Sequence, residues 1–313
     1  MDIVRCAAIF LVVLQHCWTM LDLDLLKSSH QYPFYSSIIY GVALFVMLSG
    51  ALHLRKIDRV ATFYKKRIVR VLIPFVFWGT IVYVISYVVG KYEDMDCVGK
   101  AVRMYFPYLL TGKINEAYWF VYLILALYLV TPILQRFLHK GNDMSVLVIL
   151  LSLIGIWLVV ESIFGVGGIL GTFVFYSGYY LTGYFIVRYV SAGKFSAFAG
   201  AAGSLVFYGL NVLIQSQGSE SFAISFCEVS CLFILFSSLN ISGRVSSGIS
   251  RYSYLIYLTH FVLIRAFYVV FPEVFVPVWY MPVLTAVLVM AIESLFCAGI
   301  EKIPWMPKKV IGI

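Results

Sequence analysis

Ten long apolar stretches, separated by short polar gaps, dominate this chain and leave few folds open to it. They run over 3–21, 34–54, 71–90, 118–135, 144–161, 170–188, 196–214, 221–239, 253–271 and 278–300. Each approaches the roughly 20 residues a helix needs to cross the hydrocarbon of a bilayer. Only 12% of the 313 residues are charged, about half the share of an ordinary soluble domain, and a soluble core has no room for so much apolar surface. The expected fold is all-α: a polytopic membrane helical bundle of about ten transmembrane helices, one integral-membrane domain over 1–313. No gap is long enough for a soluble domain, the longest being Lys91 to Ala117. The first stretch lacks an A-x-A-like cleavage site and is read as a retained span rather than a signal peptide.

The basic residues give the orientation. With the N-terminus inside, 17 of the 23 Lys and Arg fall on the inner side. Five fall outside (Lys27, Lys91, Lys100, Arg103 and Lys113), and Arg265 lies within a span. Every inner loop then carries basic residues, so both termini are expected in the cytoplasm. This distribution reads the net charge of +8 as a topology signal and argues against nucleic acid as a partner. The stretch from Arg55 to Arg70 holds seven basic residues against Asp58. Phe63, Tyr64, Ile68 and Val71 recur there at helical spacing, so it is expected to be an amphipathic helix on the inner surface that turns into the third span at Pro74. The six cysteines and five histidines show no metal-ligand spacing, and no metal is expected.

Ionisable side chains inside a membrane are costly and usually mark a site. Arg5 and His16 sit eleven residues apart in the first span, on one helical face and about 16 Å apart along the axis. His16 lies roughly 20 Å from the inner face at 1.5 Å per residue, and Glu228 and Arg265 come to a similar depth in spans eight and nine. His260 is in the middle of span nine. The shared depth suggests one polar cavity in the outer half of the bilayer, across which Glu228 and Arg265 pair; a purely structural ion pair between neighbouring helices is the alternative. Arg5, Arg67 and Arg70 gather near the inner face, where guanidinium forks suit phosphate oxygens. The layout is that of a donor entering from inside and an acceptor from outside. His16 is the candidate proton acceptor between them.

These residues resemble the acyltransferase-3 family, integral-membrane acyltransferases that decorate bacterial glycans. "DIVRCAAIFLVVLQH" matches its Arg-x10-His motif at Arg5 and His16. "GVALFVMLSGALHLRK" resembles its second-span segment, with Gly41, Phe45, Ser49 and Gly50. "FYKKRIVRVLIPFVFW" resembles its basic segment with Arg67, Arg70 and Pro74. "AYWFVYLILALYLVTPIL" resembles the span around Trp119 and Phe120, and "YSYLIYLTHF" the late element with Ser253, Tyr257 and His260. The matches keep the family's order along nearly the whole chain. Neither the leading segment common before the first motif nor a soluble esterase-like domain after span ten is expected.

The resemblance implies O-acyl transfer, usually of acetyl, from acetyl-coenzyme A or another acyl-coenzyme A acting as co-substrate, with no permanently bound cofactor. The acceptor it implies is a hydroxyl of a cell-surface polysaccharide, lipid-linked sugar or glycolipid, and the place a bacterial inner membrane. It assigns His16 as essential with Arg5 in support, and Arg67 and Arg70 to the coenzyme A phosphates. Glu228, Arg265, His260, Tyr257, Trp119 and Ser49 are the further cavity or substrate candidates, with Trp119 placed to stack on a sugar or to sit in the interfacial aromatic belt. A glycan or lipid transporter or flippase, which also tolerates intramembrane charge, is the rival reading, and a scaffold subunit of a polysaccharide machine a second. The resemblance is compatible with acetyl, succinyl or another acyl donor, and with either an acyl-enzyme or a ternary-complex mechanism.

Overall fold

The computed structural model describes residues 1–20, 40–57, 59–92, 95, 97–140, 148, 152, 155, 169–217, 221–239, 241, 243–272, 278, 280–304 and 306–312. They form an all-helical protein, with no strand among the described residues. In hydrocarbon every backbone N–H and C=O must find a partner within its own segment, and the helix achieves this. The helices are α1 (Asp2–Thr19), α2 (Gly41–His53), α3 (Val60–Arg67), α4 (Ile73–Val88), α5 (Val98–Thr111), α6 (Trp119–Lys140), α7 (Ile169–Tyr189), α8 (Lys194–Ser216), α9 (Phe222–Ser238), α10 (Arg244–Val270), α11 (Met281–Glu301) and the single turn α12 (Lys308–Ile311).

Among the described residues six helical stretches are long and apolar enough to cross a membrane: Asp2–Thr19, Val60–Val88, Glu116–His139, Lys194–Ser216, Arg244–Val270 and Met281–Glu301. Two shorter apolar helices, α2 and α9, join them, and α7 covers the stretch expected at 170–188. The chain is therefore a multi-pass membrane protein. The expected span at 144–161 falls almost wholly outside the described residues, as do Lys27 and the first part of the span at 34–54.

Helix α1 is the axis of the bundle. It packs against α2, α9, α10 and α11, and Val4, Ala8, Ile9 and Val13 are fully enclosed. Without a hydrophobic force between helices in lipid, close packing rests on small residues that let backbones approach. A Cβ on Gly50 would overlap the Tyr180 backbone of α7, and one on Gly183 would overlap the Met47 backbone of α2, so these two glycines interlock α2 and α7. Gly41 does the same for α2 against Ala8 and Val12 of α1.

Three expectations are corrected. The basic segment does not end in a corner at Pro74. Helix α3 runs through a π-helical turn, Ile68–Leu72, straight into α4. Proline lacks an N–H and its ring crowds the carbonyl four residues back, and the widened π turn precedes it. Phe63 and Val71 are buried, while Ile68, five residues after Phe63 and so about 140° around the helix from it, is exposed. Helix α10 begins at Arg244, nine residues before the expected span, and the added N-terminal turns carry Ser246 and Ser250 to α1. Between Lys91 and Ala117 lies not a polar loop but the amphipathic helix α5. It buries Ala101 and Leu109 and exposes Val98, Val102, Phe106 and Leu110 at every fourth position. Asn115 caps the 3-10 turn Glu116–Tyr118 that follows, its buried side chain accepting from the Ala117 N–H at 2.9 Å. Glu93, Asp94 and Asp96 lie outside the described residues.

Both chain ends meet at one end of the bundle. Arg5 and Asp2 bond Ser250 of α10. The turn α12 folds back so that the Trp78 indole of α4 donates to the Val310 carbonyl at 3.1 Å. Gly312, with φ of 79°, lies so close to the Tyr254 ring and Pro74 that only glycine fits without a shift.

Candidate active site

Helices α1 and α10 run side by side in the same direction. Arg5 Nη1 donates to Ser250 Oγ at 3.2 Å, and at the other end the His16 ring lies 5.2 Å from the His260 ring. Eleven residues on one helix thus match ten on the other. Ser250, Ser253, Tyr257 and His260 follow the i, i+3, i+7, i+10 stripe of one helical face, and this face stands opposite the Arg5–His16 face.

A cavity of about 710 Å³ opens between these helices, α2, α6 and the π turn. At one end its lining includes Arg5, Arg67, Arg70 and Arg251, and farther in Ser49, Phe45, Phe120, Tyr128 and Tyr257. Tyr257 carries the path onward. Its ring lies 5.2 Å from Phe120 and 5.8 Å from His260, and its hydroxyl is held by the Ala117 carbonyl. His260 is wholly buried. Its Nδ1 lies 2.8 Å from the Tyr257 carbonyl and 3.0 Å from that of Ile256. Carbonyls only accept, so the proton sits on Nδ1 and Nε2 keeps a lone pair; that Nε2 has no partner among the described residues. His16 is further braced edge-on by Phe261 at 5.2 Å.

The four arginines are held differently. Arg5 forms an ion pair with Asp2 at 3.4 Å, and Ser250 bridges the two. Arg251 pairs with Glu301, which also takes the Tyr252 hydroxyl. Arg67 donates to His53 Nε2 at 2.7 Å, with its guanidinium carbon 5.4 Å from the Phe63 ring and 5.7 Å from that of Tyr128. Arg70, on the π turn, is exposed at the mouth. A mouth of guanidinium groups leading into an aromatic shaft suits a polyanion with a long thin arm.

Of the residues singled out from sequence, Arg5, Arg67, Arg70, Ser49 and Tyr257 line this cavity, and His260 and His16 adjoin its inner end. Glu228 and Arg265 do not meet. Glu228 lies between α8 and α9, accepting from the Asn211 amide, which also bonds the Tyr40 hydroxyl at 3.0 Å. It borders a second, almost wholly apolar cavity of about 350 Å³ with Phe10, Leu11, Tyr208 and Leu232. Arg265 is exposed near the C-terminal end of α10. Burial, with the repulsion of Arg265 behind it, holds the Lys91 pKa below the usual lysine range. Equal depth in a helix says nothing about which way a side chain faces, and that is why the predicted pair fails. Trp119 is half-exposed and tilts against Tyr176 at 5.6 Å; its neighbour Phe120 is the one that lines the cavity.

Sequence reasoning passed over His53, Tyr128, Ser250, Arg251 and Tyr254. A signal was present: several stand at helical spacing from a motif or cavity residue, His53 after Ser49, Tyr128 after Phe120 and Tyr254 before Tyr257. No group of three or more His, Cys, Asp or Glu side chains capable of holding a metal occurs among the described residues.

A family model described as an acyltransferase domain matches residues 1–298. No curated protein and no solved structure matches the chain.

Proposed function

The chain belongs to the acyltransferase-3 family and is by that membership a membrane acyltransferase, and from this premise we propose that it is an O-acetyltransferase. It moves acetyl from cytoplasmic acetyl-coenzyme A to a hydroxyl of a cell-surface polysaccharide, lipid-linked sugar or glycolipid, in a bacterial inner membrane. The observation that carries this reading is the single cavity joining Arg5, Arg67 and Arg70 to Tyr257, and through its ring to His260 and His16.

In this reading the end of the bundle holding both termini faces the cytoplasm, in keeping with the excess of basic residues there. The coenzyme A phosphates dock on Arg67 and Arg70, with Arg5 in support. The pantetheine arm, roughly 15–20 Å when extended, lies along Phe45, Phe120 and Tyr257. Its reach is comparable to the rise of about 16 Å from Arg5 to His16, and so the thioester arrives at the histidine pair. The acceptor hydroxyl attacks the thioester carbonyl there. The carbon–oxygen bond forms, the carbon–sulfur bond breaks, and the hydroxyl proton passes to His16 and then to the leaving thiolate. An acyl-histidine route splits the same transfer into two steps and makes the same demand on His16, an imidazole lone pair.

The test uses protein in nanodiscs with radiolabelled acetyl-coenzyme A and crude envelope glycan. Label is expected to reach glycan with the wild type. His16→Ala stops transfer with coenzyme A still bound, and Arg67→Ala with Arg70→Ala loses the binding. Folded wild type that neither binds coenzyme A nor moves label overturns the donor assignment and leaves the transporter or flippase reading standing.

A further inference from the structure

We infer that His53 is a positioning residue for the donor site: its neutral imidazole orients the Arg67 guanidinium toward the donor's phosphates without cancelling its charge. The inference rests on the acyl-coenzyme A reading above.

Arginine has donors and no acceptor. The 2.7 Å contact between Arg67 Nη1 and His53 Nε2 therefore requires a lone pair on Nε2, and His53 accepts as a neutral ring with its proton on Nδ1. The ring is itself fixed. It lies 5.2 Å from Tyr128 and 6.1 Å, edge-on, from Phe63, the same two rings that flank the guanidinium. The Gln135 amide donates to the His53 carbonyl at 2.7 Å. One residue on, the Leu54 carbonyl lies 3.2 Å from His139 Nε2. Guanidinium and imidazole thus share one aromatic cage, and neither turns without the other.

The neighbouring arginines show what the imidazole achieves. Arg5 has Asp2 and Arg251 has Glu301, so each cation is already matched by a carboxylate that an incoming phosphate must compete with. Arg67 is instead held, among the described residues, by a group with no charge. Its Nε is buried and has no acceptor among the described residues, so a donor of the guanidinium fork is left unsatisfied beside the cavity. A carboxylate at position 53 would make the contact equally well and remove the attraction for phosphate. Leucine would keep the volume and lose the aim.

The experiment measures the dissociation constant for coenzyme A in nanodiscs, and kcat at saturating acetyl-coenzyme A, for wild type and three variants. His53→Gln keeps an acceptor, His53→Leu has none, and His53→Glu adds a carboxylate. The expected order of affinity is wild type, then Gln within about threefold, then Leu about tenfold weaker, then Glu weaker still, as loss or neutralisation of one charge-assisted contact dictates. Turnover at saturation stays within about twofold. In an Arg67→Ala background the His53→Leu substitution changes affinity no further. Should His53→Leu fail to fold, the comparison of Gln with Glu carries the same question. Equal affinities across the series in a wild type that binds coenzyme A overturn the role of His53 and leave the donor reading intact. So does an undiminished His53→Leu effect without Arg67. Absence of coenzyme A binding by the folded wild type overturns both.

Discussion

Helix α1 borders two cavities that differ in every respect that matters for binding. The larger one is lined at its mouth by four arginines, opens at the end of the bundle, and leads past aromatic rings to two histidines. The smaller one holds a single carboxyl group, Glu228, against apolar walls. Charge alone does not distinguish a site from a structural device, because both carry charge at membrane depth. The use made of each group's bonding capacity does. Glu228 is buried and engaged by Asn211, whose amide also holds Tyr40, while Ser225 closes the network by meeting the Tyr40 hydroxyl at 2.9 Å. In the larger cavity Arg67 has, among the described residues, a neutral hydrogen-bond partner and no carboxylate, and a buried donor remains unsatisfied there. A closed network stabilises a fold; an open one binds a ligand.

The sharpest way to break this comparison is at His16. His16→Ala is expected to lower acyl transfer by about 10²–10⁴-fold, the usual worth of a positioned acid–base group, with the thermal midpoint nearly unchanged; transfer of radiolabel and a melt in nanodiscs read both. Next in size, Arg67→Ala combined with Arg70→Ala should weaken coenzyme A binding by about 100-fold, since a hydrogen bond to a charged group contributes about 1.5–3 kcal/mol. A titration calorimeter shows it, and retention of full affinity would empty the larger cavity of its assigned ligand.

Glu228→Leu probes the other side. It strands the buried Asn211 amide at a cost of about 1–3 kcal/mol, so the thermal midpoint should fall while the coenzyme A dissociation constant stays put. Glu228→Gln, which keeps an acceptor for Asn211, should restore the midpoint. A change in donor affinity in either variant would mean that the two cavities are coupled. The smallest effect is salt. Raising ionic strength from 0.1 to 1 M shortens the screening length from about 10 to about 3 Å and should weaken coenzyme A binding several-fold. The Glu228 network, away from solvent, should show no matching loss of stability.

Much of this is legible in the chain alone. Along-chain properties carry well in a membrane protein, because an apolar run of sufficient length has only one way to satisfy its backbone. The stripes that make the donor cavity are also one-dimensional: Arg5 to His16 on α1, and Ser253, Tyr257 and His260 on α10. Sequence reasoning fails where the answer depends on rotation about a helix axis or on a local change of pitch. Glu228 and Arg265 share a depth and face different neighbours. A π turn, Ile68–Leu72, carries the basic segment on into α4 where Pro74 suggested a corner. The spacing of His53 after Ser49 marks its face but not its role, because its partner lies fourteen residues away across the gap between α2 and α3.

By itself, then, the sequence determined the all-helical membrane fold, the order of the apolar segments and the family, since hydrophobic length and motif spacing are properties of a linear chain. It took the packed helices to set α1 and α10 parallel with their polar stripes opposed, to bring the arginines of α1, α3, the π turn and α10 to one mouth, and to place Glu228 in a separate network. Those outcomes depend on how helices rotate and pack at their glycines, and packing is a relation between segments that no single segment encodes.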